Sequence, residues 1–248
     1  LAVFFKNRLF LINRADATNY LFYSSAFKPD VFNGPDTGYI GLPSGKPITA
    51  VCRFFNELFI ATADEIYLLQ GYSPQTFGLL KLNTGGIGVV SHHSVVAVGK
   101  YIYFVHSTGF YRFDGVGVVL ISKPINHFFD SNESTYFIPI TRLSTIQGRF
   151  DRVHSCIDWT VSKGSAQATN NTICSFDIEN EGWWFDNIAA ASLLRTTGAY
   201  YQDLLYHGDY AGKAHQDWTG TTDNGTAISA YITTRGFGQK DVLNVFRS

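Results

Sequence analysis

The side chains able to act as ligands, acids or nucleophiles lie along this chain in short, scattered polar stretches. His92 and His93 stand side by side with no Asp or Glu near them. Neighbours on an extended segment point to opposite faces, so one metal ion is poorly served by both. Asp114-Gly115, Asp177 and Asp217 sit near the ends of strand-like runs. A pair of carboxylates at a set separation is what glycoside hydrolysis needs. Asp-Gly is equally the signature of a hairpin turn, and the turn is the preferred reading. Asp223-Asn224-Gly225 reads the same way, since the further oxygen ligands of a calcium loop are missing. Gly85-Gly86-Ile87-Gly88 leads into a strand and not a helix, so it has no helix N-terminus to receive a phosphate. No nucleophile elbow, phosphate loop, zinc helix or dinucleotide fingerprint occurs.

Two other groups bear on ligand binding or covalent chemistry. Trp183, Trp184 and Trp218 are candidate sugar-stacking residues, although the adjacent pair must face opposite ways on a strand. Cys52, Cys156 and Cys174 give an odd count without zinc-type spacing; Cys156 and Cys174 could face each other across strands of the fourth unit as a disulfide, but buried thiols are the preferred reading. Asn-x-Ser/Thr sequons at Asn132, Asn171 and Asn224 carry little weight in a chain so rich in these residues. On these grounds no catalytic residue, metal ligand or cofactor site is assigned, and a non-enzyme without a cofactor is expected.

The elements that must position these residues form a weak repeat. Two short apolar strands flank a polar turn, and a third and usually a fourth strand follow. The units fall near 1–43, 44–90, 91–135, 136–190 and 191–248, with first turns near residues 7, 56, 99, 149 and 202. In the fourth unit the first strand is expected over Phe137 to Ile146, with the turn around Gly148 to Arg152. In the fifth, the turn is expected at Gln202-Asp203 and the last strand over Ala227 to Thr234. Such spacing matches four-stranded propeller blades, which cannot bury both faces alone and must stack around an axis. The expectation is therefore an all-β, single-domain β-propeller of about five blades, or part of a larger one, with no substantial helix.

Composition agrees. The chain has 248 residues, 23 of them Gly, with 16% aromatic and 16% charged residues and a net charge of −1. The charged share is low for a globular domain, so small polar residues or neighbouring subunits must cover the surface. Near-neutrality lacks the electrostatic footprint of a free-standing DNA binder. No apolar run approaches the ~20 residues of a membrane-spanning helix. Leu1 begins inside an apolar strand, Met is absent, and Asp241 to Phe246 reads as a strand cut short, so a portion of a longer protein is expected.

Several phrases resemble tail and head-to-tail connector proteins of tailed bacteriophages. They are Arg8 to Ile12 with Asn19 to Ser25 and Pro29 to Phe32; Ser94 to Gly99 through Gly109 to Gly115, Ile121-Ser122 and Pro124 to Asn126; and Gly208 to Lys213 with Asp223 to Ile228 and Ala230 to Thr234. The family includes packaged-DNA stabilisation proteins and tail nozzle proteins. The resemblance implies a propeller assembled as a ring around a DNA exit channel, with no catalytic residues. The expected role is thus a structural virion protein in a phage tail or connector. Its expected partners are portal, connector or tail subunits and copies of itself, with packaged DNA passing through without sequence recognition. The alternative is a carbohydrate-binding or glycan-cleaving propeller using Trp183, Trp184 and Trp218. A secreted or periplasmic scaffold is a third reading.

Overall fold

The computed structural model describes residues 1–12, 14–188, 190–195, 204–220, 222–223 and 226–227. It comprises two compact units, Leu1–Gln216 and Asp217–Ser248. The first unit is a series of antiparallel meanders. Strands β1 (Ala2–Phe5), β2 (Arg8–Leu11), β3 (Tyr20–Tyr23) and β4 (Gly38–Gly41) form blade 1. Blade 2 contains β5 (Ala50–Phe54), β6 (Glu57–Ala61), β7 (Ile66–Gln70) and β8 (Gly78–Lys81). Blade 3 contains β9 (Val96–Val98), β10 (Tyr101–His106), β11 (Gly109–Phe113) and β12 (Val118–Leu120). In blade 4 are β13 (Gln147–Asp151), β14 (Cys156–Val161), β15 (Thr172–Asp177) and β16 (Trp183–Asp186). Blade 5 shows β17 (Ser192–Arg195), β18 (Leu205–Gly208) and β19 (Ala214–Gln216).

The first strands line up with one another: β1 lies beside β5, β5 beside β9, β9 beside β13 and β13 beside β17. First strands adjacent and later strands splayed outward is the arrangement of blades about an axis, and the fold is a β-propeller. In the second unit, β20 (Thr222–Asp223) pairs with β21 (Thr226–Ala227), with Asp223 opposite Thr226.

Central strands of a blade are buried on both sides, so they read as continuous apolar runs instead of alternating ones. Leu58-Phe59-Ile60-Ala61 of β6 shows the consequence. Leu58 and Ile60 join Tyr67 and Leu69 against blade 1, with Phe10, Leu21 and Tyr23. Phe59 and Ala61 join Ile66 and Leu68 against blade 3, with Ile102, Phe104 and Phe113. Tyr103, Val105 and Phe110 then pack on Ile157, Trp159, Val161 and Phe176 of blade 4. Each such side chain contributes roughly 1.5–3 kcal/mol when fully buried.

Two expectations are corrected. Phe137 to Ile146 is not the first strand of blade 4: Ile140–Thr145 forms a 3-10 helix after Pro139. Proline fixes φ and lacks an N–H, so it favours this turn over a ladder. The true first strand is β13, and the turn falls at 152–155, because Asp151 pairs with Cys156. Gly148 therefore lies in a strand. A Cβ there would stand 2.7 Å from Val96, 2.8 Å from Trp159 Nε1 and 2.9 Å from the Ser94 carbonyl oxygen, so only glycine lets these groups approach. The preferred reading of Cys156 and Cys174 as buried thiols holds, and all three cysteines are free. Cys156 lies opposite Asp177 and Cys174 opposite Trp159, which puts the two thiols on opposite faces of the sheet.

The turn expected at Gln202-Asp203, most of Ala227 to Thr234, and Asp241 to Phe246 lie outside the described residues. Among the described residues no helix is long and apolar enough to cross a membrane.

Candidate functional site

The acidic residues at strand ends share one local geometry. Asp114 accepts hydrogen bonds at Oδ1 from the Val116 and Gly117 N–H groups, both at 2.9 Å. Asp177 Oδ1 does the same for Glu179 and Asn180, and Asp209 Oδ1 for Ala211 and Lys213. Asp151 does so for Val153 and His154 in the first hairpin of blade 4. Each carboxylate closes its own turn in the way short polar side chains mimic a backbone turn.

Backbone N–H donors from Gly117 and Val116 hold the Asp114 carboxyl below its ordinary range. Asp177 is lowered by Asn180, first through its side chain and then its N–H. Asp209 is lowered by the Lys213 N–H and then by His215. Carboxyls held in the ionised form are poor general acids. Asp217 lies at the start of the second unit. For Asp223-Asn224-Gly225, Asn224 and Gly225 lie outside the described residues.

His92 and His93 belong to a 3-10 helix, His92–Ser94, and not to a strand. Their rings meet edge to face at 5.4 Å. His92 Nδ1 accepts a long hydrogen bond, 3.5 Å, from the Val51 N–H. Burial first, and the neighbouring His93 second, lower its pKa to about 4, so His92 is neutral at physiological pH. Among the described residues no group of three or more His, Cys, Asp and Glu side chains is arranged to hold a metal ion. The Cys52 thiol is pushed up to about 12 by burial, and burial also raises Cys156 and Cys174. None is a ready thiolate. Asn171 is committed to its own loop: its amide accepts from the Lys163 N–H at 2.7 Å and donates to the Lys163 carbonyl at 3.0 Å.

The tryptophans separate. Trp183 lies in the seam between blades 3 and 4, its ring 5.0 Å from Phe176 and 5.3 Å from Phe110, stacked on Trp159 at 5.9 Å. Its indole N–H donates to the Ile121 carbonyl at 3.2 Å. Trp184, opposite Ser175, faces the other side of the sheet and is half-buried. Trp218 lies in the second unit, 60% exposed.

Two polar arrangements were not anticipated. Buried Arg8 donates to the carbonyls of Ser24 and Asp36 at 2.7 Å and to Asp36 Oδ2 at 3.1 Å. Asp36 also accepts from the Ser25 hydroxyl and the Ala26 N–H, which with Arg8 hold its carboxyl at about 2. Arg149 and Asp158, both nearly inaccessible, pair at 2.9 Å between Nε and Oδ2. Arg149 reaches on to the Tyr206 carbonyl of blade 5 at 2.8 Å, and Asp158 accepts from Ser175 at 2.7 Å.

In an antiparallel meander the turns after the first and third strands lie at the same end. That end carries Phe27 (79% exposed), Phe55 (62%), Tyr72 (71%), Val116 (82%) and Val153 (67%). The arrangement offers apolar surface at turn tips, with the nearby carboxylates folded back into the turns.

No protein-family model matches the chain, and no curated protein matches it. Solved structures do. The extracellular domain of the one-component system BT4673 from B. thetaiotaomicron aligns with a TM-score of 0.55 at 10% identity, covering 92% of this chain and 29% of that one. Hsv2 from Kluyveromyces marxianus gives 0.49 at 11% identity, covering 85% of this chain and 59% of its own. The N-terminal domain of Nup159 gives 0.49 at 9%, covering 88% and 60%. This chain thus spans less than two thirds of each, and at these identities the likeness concerns the fold alone.

Proposed function

We propose that this chain is a structural, non-catalytic propeller of a bacteriophage tail or head-to-tail connector. In that role it joins portal, connector or tail subunits and copies of itself in the virion, around a passage for packaged DNA that is not read by sequence. The observation that carries the non-catalytic part is the turn geometry. Asp114, Asp151, Asp177 and Asp209 each spend their carboxylates on backbone N–H groups, leaving the apolar tips as the outward-facing chemistry. The virion part rests on the sequence phrases that resemble phage proteins, most of which lie in blades 1 and 3. A net charge of −1 suits a wall past which a polyanion must slide.

The test is electron microscopy of the full-length protein with its portal and tail partners. Ring-shaped assemblies attached to portal or tail particles are expected. A protein that stays monomeric and never joins such a particle would sink the reading. One observation favours the carbohydrate alternative, the 60% exposure of Trp218. A glycan array comparing the parent chain with Trp218→Ala checks it, and saturable binding lost on substitution would replace the structural reading.

A further inference from the structure

Blades 1 and 2 leave a groove of about 550 Å³ at the turn end of their sheets. Four of its lining residues have left-handed backbone: Lys6 (φ +48°), Asn7 (+60°), Phe27 (+60°) and Phe55 (+50°). Asn tolerates this conformation, but bulky side chains rarely adopt it. Blade 3 shows the relaxed solution, because Gly99, at φ +56°, opens its first two-residue turn where Phe55 opens that of blade 2. The phenylalanines also stand out in water, Phe27 79% and Phe55 62% exposed, so burial does not offset the strain. Strained backbone combined with exposed aromatic rings is the pattern of a binding surface.

The groove is held ready. The Phe27 N–H donates to the Asn7 carbonyl at 2.8 Å. The loop just before Phe27 is tied by Asp36, which takes hydrogen bonds from Ser25, Ala26 and Arg8. Lys6 bridges the two blades with its ammonium 3.8 Å from the centre of the Tyr72 ring. Arg53 donates to the Phe55 carbonyl at 3.4 Å and is otherwise turned to solvent. No carboxylate is among the lining side chains, so the cations Lys6 and Arg53 face an apolar floor without an acidic counterpart in the groove.

We propose that this groove docks a short acidic segment of a partner protein, with carboxylates held by Lys6 and Arg53 and an apolar side chain set against Phe27 and Phe55. Phe27 and Phe55 offer open rings for base stacking, but a face of Tyr72 is already taken by Lys6, so a single-stranded nucleic acid finds fewer of its contacts met. A sugar also fits less well, because apart from the cations only Asn7, Tyr72 and Ser73 bring polar side chains to the lining. The inference goes beyond the virion reading and does not depend on it, since it requires only that the groove be functional.

The test is fluorescence anisotropy on the purified chain with three labelled probes: a synthetic peptide of Glu alternating with Leu and Phe, the same peptide with Lys for Glu, and an oligothymidylate. The acidic peptide is expected to bind with a Kd on the order of 10–100 µM at moderate salt and to weaken as salt screens the charges. The Lys peptide should bind at least about tenfold more weakly, as should the acidic peptide to the K6E/R53E variant. Phe27→Gly and Phe55→Gly should each weaken the peptide about fivefold or more while leaving Tm unchanged or raising it by about 2 °C, because they relieve strain. Equal binding of both peptides, tighter binding of the oligothymidylate through Lys6 and Arg53, no saturable peptide binding, or a lowered Tm in both glycine variants would each overturn the proposal. Failure here leaves assembly into portal or tail particles unaffected, so the two readings fail separately.

Discussion

The seam between blades 2 and 3 is packed from apolar side chains, whereas the seam between blades 4 and 5 joins a small apolar cluster of Ile173, Ala190 and Leu193 to a buried polar network. Blades 2 and 3 meet through Phe59, Ala61, Ile66, Leu68, Ile102, Phe104 and Phe113, all almost wholly buried. Blade 4 is two-faced. Ile157, Trp159 and Val161 of β14 point to blade 3, while Cys156, Asp158 and Thr160 lie on the other face with Ser175. From that face Arg149 reaches across to the Tyr206 carbonyl, and Gln147 to the Ala191 carbonyl at 3.2 Å. An apolar seam is held by non-directional burial and tolerates small changes of shape. A polar seam specifies one docking geometry but leaves a large penalty if either partner is lost.

The largest test of this contrast is Asp158→Ala. It removes the buried carboxylate that pairs with Arg149 Nε and should cost about 3–5 kcal/mol in urea unfolding. Amide exchange should quicken first in β14, β15 and β18. A loss below about 1 kcal/mol would erase the distinction. The paired replacement Arg149→Met with Asp158→Leu removes both charges and should recover most of that loss, which the same titration reads as a double-mutant cycle.

A smaller effect is expected from Leu68→Met in the apolar seam, under about 1.5 kcal/mol by the same measurement. A greater loss would show that seam to be as shape-specific as the polar one.

Acid should act on a third region, the edge of blade 2. Burial pushes the Glu65 carboxyl up, but hydrogen bonds from Lys81, Tyr67, Ser44 and Lys46 outweigh it and bring it down to about 2. With the folded pKa depressed, this stabilisation is complete above the ordinary value of 4.5 and is lost as pH falls toward 2. Glu65→Gln should therefore flatten the stability profile across that window while leaving Asp158-dependent stability unchanged. A profile identical to the parent would remove Glu65 from the account. The smallest change expected is Asp114→Ala, at most about 1 kcal/mol, since it removes hydrogen bonds from one exposed turn. Thermal unfolding reads it.

Legibility in the sequence followed local pattern. Leu58 to Thr62 and Tyr101 to Val105 read as strands because both faces of a central strand are apolar, and the observed β6 and β10 differ from them by no more than one residue at either end. The Trp183 and Trp184 alternation was legible because neighbours on a strand point to opposite faces. Strand β4 was missed because Gly38-Tyr39-Ile40-Gly41 is short and flanked by glycines. The Arg149–Asp158 pair was hidden by the misplaced turn of blade 4. With the turn at 152–155 the two residues are direct cross-strand partners, whereas a turn at 148–152 puts Arg149 inside it. The groove had no sequence signal, because its residues come from the turns and adjoining strand ends of two blades, with a backbone sign that side-chain type argues against.

What the sequence by itself determined was the repeating unit. Short apolar runs and turn-forming Asp, Asn and Gly act over a few positions, so most strands, most turns and the blade-like period followed from short-range rules. Only the tertiary structure decided which blade faces are dry and which are hydrogen-bonded, where Trp183 goes, and that Lys6, Phe27, Arg53, Phe55 and Tyr72 share one groove. Those outcomes depend on the register and stacking of sheets whose contacting residues lie tens of positions apart, and only packing selects among such pairings.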